Sequence, residues 1–146
     1  MTFSFMVPGS VGPITFGMER AKVRACLGGP FRSFKKTFLS TNTLDSFDSH
    51  GVHVYYCDND RVKGIELFRD SEFTWAGERL LGENYIYLKG FLAVRGVGFS
   101  SNDSGVDVDA YGLSFYIPDV SDEGDGAIVE SVYIDLSVGQ TFAIQP

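Results

Sequence analysis

Histidine, cysteine and tryptophan are scarce in this chain: two His, two Cys and one Trp among 146 residues. The two cysteines, Cys26 and Cys57, can pair once at most and make no disulfide framework, which fits a reducing compartment. No apolar run approaches the roughly 18 residues that a membrane helix needs. The opening, Met1–Gly9, has neither a basic start nor a long apolar core and does not read as a secretory signal, so a cytoplasmic location is expected. G-x-S-x-G, P-loop and dinucleotide fingerprints are missing. Cys57 and His53 stand four residues apart on one extended segment, roughly 13 Å, too far to work as a nucleophile and its base. No catalytic residues, cofactor or metal are therefore assigned, and an enzyme is not expected.

Basic residues are also missing from one end. After Arg95 there is no Lys or Arg, while nine acids follow. Residues 1–73 hold nine Lys/Arg and eight Asp/Glu, a net of +1; residues 74–146 hold three and eleven, a net of −8. The whole chain carries −7. Such a surface is repelled by phosphate backbones and anionic lipid, so neither nucleic acid nor membrane is an expected partner. A basic protein is.

What is abundant is glycine (17) and phenylalanine plus tyrosine (13 and 7), with 44% apolar and 21% charged residues. That is a globular balance rich in turns and strands. Met18, Val23, Cys26 and Leu27 make a short helical stripe over Met18–Leu27, and Gly28-Gly29-Pro30 stops it. Phe31–Phe38 reads as extended and Thr41–Ser49 as polar and turn-like. Val52–Cys57 alternates, with Val52, Val54 and Tyr56 on one face. Asp58-Asn59-Asp60 makes a hairpin turn into Arg61–Phe68. Phe73–Trp75 is a short extended piece. Asn84 caps a second helix with the stripe Tyr85, Leu88, Leu92, ending at Arg95-Gly96. A polar stretch, Ser100–Ala110, precedes the strand Leu113–Ile117, the acidic loop Asp119–Gly126 and the alternating strand Ile128–Leu136.

Each half thus reads helix, variable stretch, strand, turn, strand. Gly51–Tyr56 matches Gly112–Ile117, and Val62–Leu67 matches Val129–Ile134. The expected fold is α+β: a single domain, 1–146, of two helix-plus-antiparallel-strand repeats, about 10–70 and 71–138, forming one compact body with an antiparallel sheet.

Two clusters invite a metal reading. His50 and His53 are three apart, but zinc needs three or four ligands and no Cys-x-x-Cys supports them. Asp119–Glu130 partly matches a calcium loop, with oxygen ligands at positions one, three and five, Gly124 at six and Glu130 at twelve; Glu123 at five, Gly126 at eight and strand flanks depart from the pattern. Whether this loop takes Ca²⁺ is left open by the sequence. The expected binding surface is the acidic second half: Asp103, Asp107 and Asp109, then Asp119, Asp122, Glu123 and Asp125 in the loop. Tyr111 and Tyr116 on the intervening strand would supply apolar anchors.

The stretch Gly12-Pro13-Ile14-Thr15-Phe16-Gly17-Met18, then Val23, then Leu27-Gly28-Gly29-Pro30, resembles the opening of BamE-like and β-lactamase-inhibitor-protein-like domains, of the kind seen in bacterial toxin-immunity proteins. The tandem arrangement is similar to that of the β-lactamase inhibitor protein. The resemblance implies a cytosolic immunity-type protein that neutralises a toxin domain by tight binding. The alternative it implies is a structural or assembly module of a cell-envelope complex.

Overall fold

The computed structural model describes residues 1–140. Its centre is an antiparallel sheet of eight strands. In chain order these are β4 (Arg32–Phe34), β5 (Leu44–Phe47), β6 (Val52–Tyr56), β7 (Val62–Phe68), β9 (Ser100–Asn102), β10 (Gly105–Val108), β11 (Leu113–Tyr116) and β12 (Ser131–Asp135). Across the sheet the order is β4-β5-β6-β7-β12-β11-β10-β9. The first four strands form one side, the last four form the other, and β7 pairs with β12 in the middle.

One face of this sheet is covered. Helix α1 (Arg20–Leu27) buries Val23 and Leu27, and α2 (Tyr85–Val94) buries Leu88, Phe91 and Leu92, in a single apolar cluster with Val54, Ile65, Leu67, Val106, Phe115, Val132 and Ile134 of the sheet. A parallel ribbon of β1 (Thr2–Phe5) and β8 (Glu72–Trp75), and the small hairpin β2 (Ser10–Val11) and β3 (Ile14–Thr15), complete the layer. The lone tryptophan organises one half of it. The Trp75 ring meets Phe5 at 5.5 Å, Phe91 at 5.3 Å and Tyr111 at 5.5 Å, and stacks on Phe115 at 6.4 Å. Rings of this size each bury a large apolar area, so the cluster contributes strongly to this half of the core.

Helix α1 stops at Leu27 because Gly28 takes a left-handed φ of 66° and returns its N–H to the Arg24 carbonyl. Asn84 caps α2 by accepting from the Tyr87 N–H at 3.0 Å. Three expectations need correction. Thr41–Ser49 is not merely turn-like: Leu44–Phe47 is a fully buried strand, because Asp45 and Ser46 find partners there. Ser100–Ala110 holds two strands: β9, an exposed edge strand, and β10, which is paired on both sides and buries Val106 and Val108. Cys26 is exposed, since the apolar stripe of α1 narrows to Val23 and Leu27.

The α1 side of the core is partly ionic. Asp45, fully buried on β5, accepts from Arg24 Nε at 2.8 Å and Nη2 at 3.0 Å, from Ser33 Oγ at 2.6 Å and from Tyr56 Oη at 3.0 Å. Arg20 stacks on the Tyr56 ring at 4.0 Å. Burial works against the Asp45 charge, but these hydrogen bonds outweigh it and hold its pKa below the ordinary carboxylate value.

Candidate functional site

The second face of the sheet faces away from the helices and the ribbon. Strand periodicity sends every other residue there, and the register sets them side by side. One row runs Ser46, His53, Glu66, Tyr133, Ser114, Asp107, Ser100 across seven strands. Aromatic rings flank it. Phe34 meets His53 at 5.9 Å, His53 meets Phe68 at 4.8 Å, and Tyr55 meets Tyr133 at 5.6 Å. Tyr116 stands half out of the face. None of the helices among the described residues covers this row.

Glu66 sits at the middle of the face. It accepts from Tyr55 Oη at 3.0 Å and lies 3.7 Å from Lys36 Nζ, which itself donates to Tyr55 Oη at 3.2 Å. His53 Nδ1 is 4.0 Å away. Burial pushes the His53 imidazole below its ordinary pKa against the pull of Glu66, which favours the uncharged ring with one donor and one acceptor nitrogen. Burial, helped by Asp135 and Glu66, pushes the Tyr133 hydroxyl up to about 12, which keeps it a neutral hydrogen-bonding group. Gly64 leaves room for the Tyr133 hydroxyl: a Cβ there would stand 2.1 Å from the tyrosine oxygen.

Shallow depressions mark the face. One of about 350 Å³ is lined by Glu66, Asp107, Ser114, Tyr116 and Tyr133 among others. One of about 380 Å³ lies beside it, between the 36–43 loop and Tyr55, Lys63 and Tyr133. The surface mixes aromatic area with satisfied polar groups, the composition of a protein-docking face.

The residues singled out in the sequence divide between places. Asp107 and Tyr116 are on this open face, and Asp107 accepts from Asn102 at 3.2 Å. Asp103 is in the β9–β10 turn, where its carbonyl accepts from Ser121 Oγ at 3.2 Å. That bond joins it to α3 (Val120–Glu123), which carries Asp122 and Glu123 on exposed positions after Asp119. Asp119–Gly126 is therefore not an open hairpin loop but a short helix followed by a 3₁₀ turn over Gly124–Gly126. Asp125 pairs with Lys89 at 2.9 Å and Glu130 with Arg69 at 3.4 Å. Asp109 stands at the other end of β10, a four-residue strand away, roughly 13 Å. Tyr111 is not on the strand: it lies in the turn before β11, and its ring packs on Phe5 and Trp75.

His50 is turned from His53, its Nε2 meeting the Leu27 carbonyl at 2.8 Å. Among the described residues, no group of three or more His, Cys, Asp or Glu side chains is gathered to hold a metal ion. Glu66, Lys36 and Phe34 escaped the reading of the sequence as site residues. The alternation of Arg61–Phe68 was visible, but the pairing of β7 with β12 was not, and that pairing sets Glu66 beside Tyr133.

No family model, curated protein or solved structure matches the chain.

Proposed function

We propose that the chain is an immunity-type binding protein of the cytoplasm that neutralises a basic toxin domain by docking it on the open sheet face, without a catalytic step, cofactor or metal of its own. The observation that carries this reading is the broad sheet face left open by the helices and dressed with aromatic and hydrogen-bonded polar side chains. A basic partner fits because the half of the sheet built from residues after Arg95 has no cation to offer. Asp107 and Tyr116 belong to this face, while Asp103, Asp119, Asp122 and Glu123 form its acidic border.

We also read the chain as two repeats. In the sheet, α1 is followed by β4–β7 and α2 by β9–β12, and the fourth strand of each set meets the other antiparallel at the centre, with Ile65 opposite Ile134 and Leu67 opposite Val132. Matching Val62–Leu67 with Val129–Ile134 makes Ile65 equivalent to Val132 and Leu67 to Ile134. A local two-fold through the Glu66–Tyr133 pair then relates the halves.

The test uses the toxin domain encoded beside the gene. Calorimetry should show tight binding, and co-expression should protect cells. Ser114→Arg, at an exposed position in the middle of the face, should keep the melting temperature and abolish both. Binding that survives Ser114→Arg while Asp122→Asn with Glu123→Gln removes it would move the site from the face to α3.

A further inference from the structure

The loop between β4 and β5 carries the most conspicuous unused apolar surface of the molecule. Phe38 is 89% exposed and its neighbour Leu39 76%. Two adjacent large apolar side chains left in water cost a folded protein solubility and give its own core nothing. They are also not on a slack segment. Thr37 and Ser40 close a turn beneath them: Ser40 N–H donates to the Thr37 carbonyl at 3.1 Å, Thr37 N–H to Ser40 Oγ at 3.2 Å, and Leu39 N–H to Thr37 Oγ1 at 3.2 Å. Both stems are pinned. Lys36 donates to Tyr55 Oη on one side, and Asn42 donates to the Cys57 carbonyl at 2.9 Å and to Asp60 at 2.8 Å on the other. The stem also walls the depression next to Tyr55 and Tyr133, so the tip stands at the rim of the open face.

We infer that this turn is a preformed apolar plug: Phe38 and Leu39 enter a cleft of the bound toxin domain, and Lys35 meets a carboxylate at the rim of that cleft. This rests on the proposed docking of a toxin on the open face. An exposed aromatic held in its bound shape gives up little entropy on association, which is the property of an anchor residue. The charges point to the partner's chemistry. Lys36 is taken up by Tyr55 and Glu66, but exposed Lys35 precedes the tip and no acid lies between Glu19 and Asp45 in the sequence, so the tip carries a cation on an acidic protein. The cleft it fits is apolar at the bottom and acidic at the mouth, although the rest of the partner is basic. An anionic bilayer is disfavoured by the overall charge of −7.

The experiment compares wild type with Phe38→Ser/Leu39→Ser, both exposed positions whose loss leaves the core untouched. Against the toxin encoded beside the gene, the variant should keep its melting temperature while Kd rises about 100-fold and protection in cells is lost. Lys35→Glu should weaken binding less, and that loss should shrink with added salt. If the serine variant binds and protects as wild type does, the plug falls and the docking face stands. If wild type neither binds nor protects, both fall. Co-sedimentation with vesicles of phosphatidylcholine and phosphatidylglycerol at 0.15 M salt, lost in the serine variant, would assign the tip to a membrane and overturn the inference.

Discussion

Asp45 shows how one residue fixes the seat of a helix. Its carboxylate is out of water, and four donor atoms from Arg24, Ser33 and Tyr56 converge on it. Removing it strands cations against an apolar layer, so Asp45→Ala should cost about 3–5 kcal/mol in urea denaturation. The pH dependence follows from the same bonds. The folded pKa of Asp45 lies below the unfolded value of about 3.9, so its stabilisation is complete above that pH. As pH falls through about 4 the unfolded chain takes up the proton first, and stability drains until the folded group titrates. Urea midpoints of wild type should drop over this window, and those of Asp45→Asn should drop less. The buried strand that holds Asp45 was hidden in the sequence for this reason. Asp and Ser in Leu44–Phe47 read as solvent-facing until Arg24, twenty-one residues earlier, is known to lie over them.

At the scale of elements, local signals served where the chain signals locally. Gly28 past α1, Asn84 before α2 and the alternation of Val52–Tyr56 each act within a few residues, and each element stands about where the pattern places it. Replacing Asn84 with Ala should cost about 1 kcal/mol, read from the thermal or urea transition, because the Tyr87 N–H loses its acceptor at the exposed start of α2. Elements defined by a distant partner were not legible. Thr2–Phe5 becomes a strand by lying parallel to Glu72–Trp75, about seventy residues on. Ser100–Asn102 is a strand because Gly105–Asp107 turns back against it, and its three residues are all exposed. Both outer strands, β4 and β9, have three residues each, which leaves little free edge for another chain to pair with. The open face was legible in part: the alternation of Ile128–Leu136 is local, but the placing of Glu66 and Ser114 beside Tyr133 follows from register alone.

On the scale of the whole molecule, strand order turns a feature of the linear chain into a spatial one. The first four strands occupy one side of the sheet and the last four the other, so the near-neutral half and the strongly acidic half of the sequence lie side by side. The molecule therefore has an electrical left and right, which orients a basic partner before contact. On the proposed immunity reading, stopped-flow association with the toxin domain should slow by about tenfold between 20 mM and 150 mM salt, since screening shortens to about 8 Å at the higher value. The dissociation rate should change far less. A flat salt response would mean that apolar docking alone sets the encounter.

The seam between β7 and β12 has a consequence for synthesis. β7 ends at Phe68 and β12 begins at Ser131, about sixty residues later. A ribosome that has released the first hundred residues has made β4 to β7 with the inner side of β7 still unpaired. The apolar residues Ile65 and Leu67, central to the finished core, then lie along an open border. The sheet closes when the last strand emerges. The nascent chain is thus exposed to wrong partners, its own copies on a polysome included, until β12 has been made.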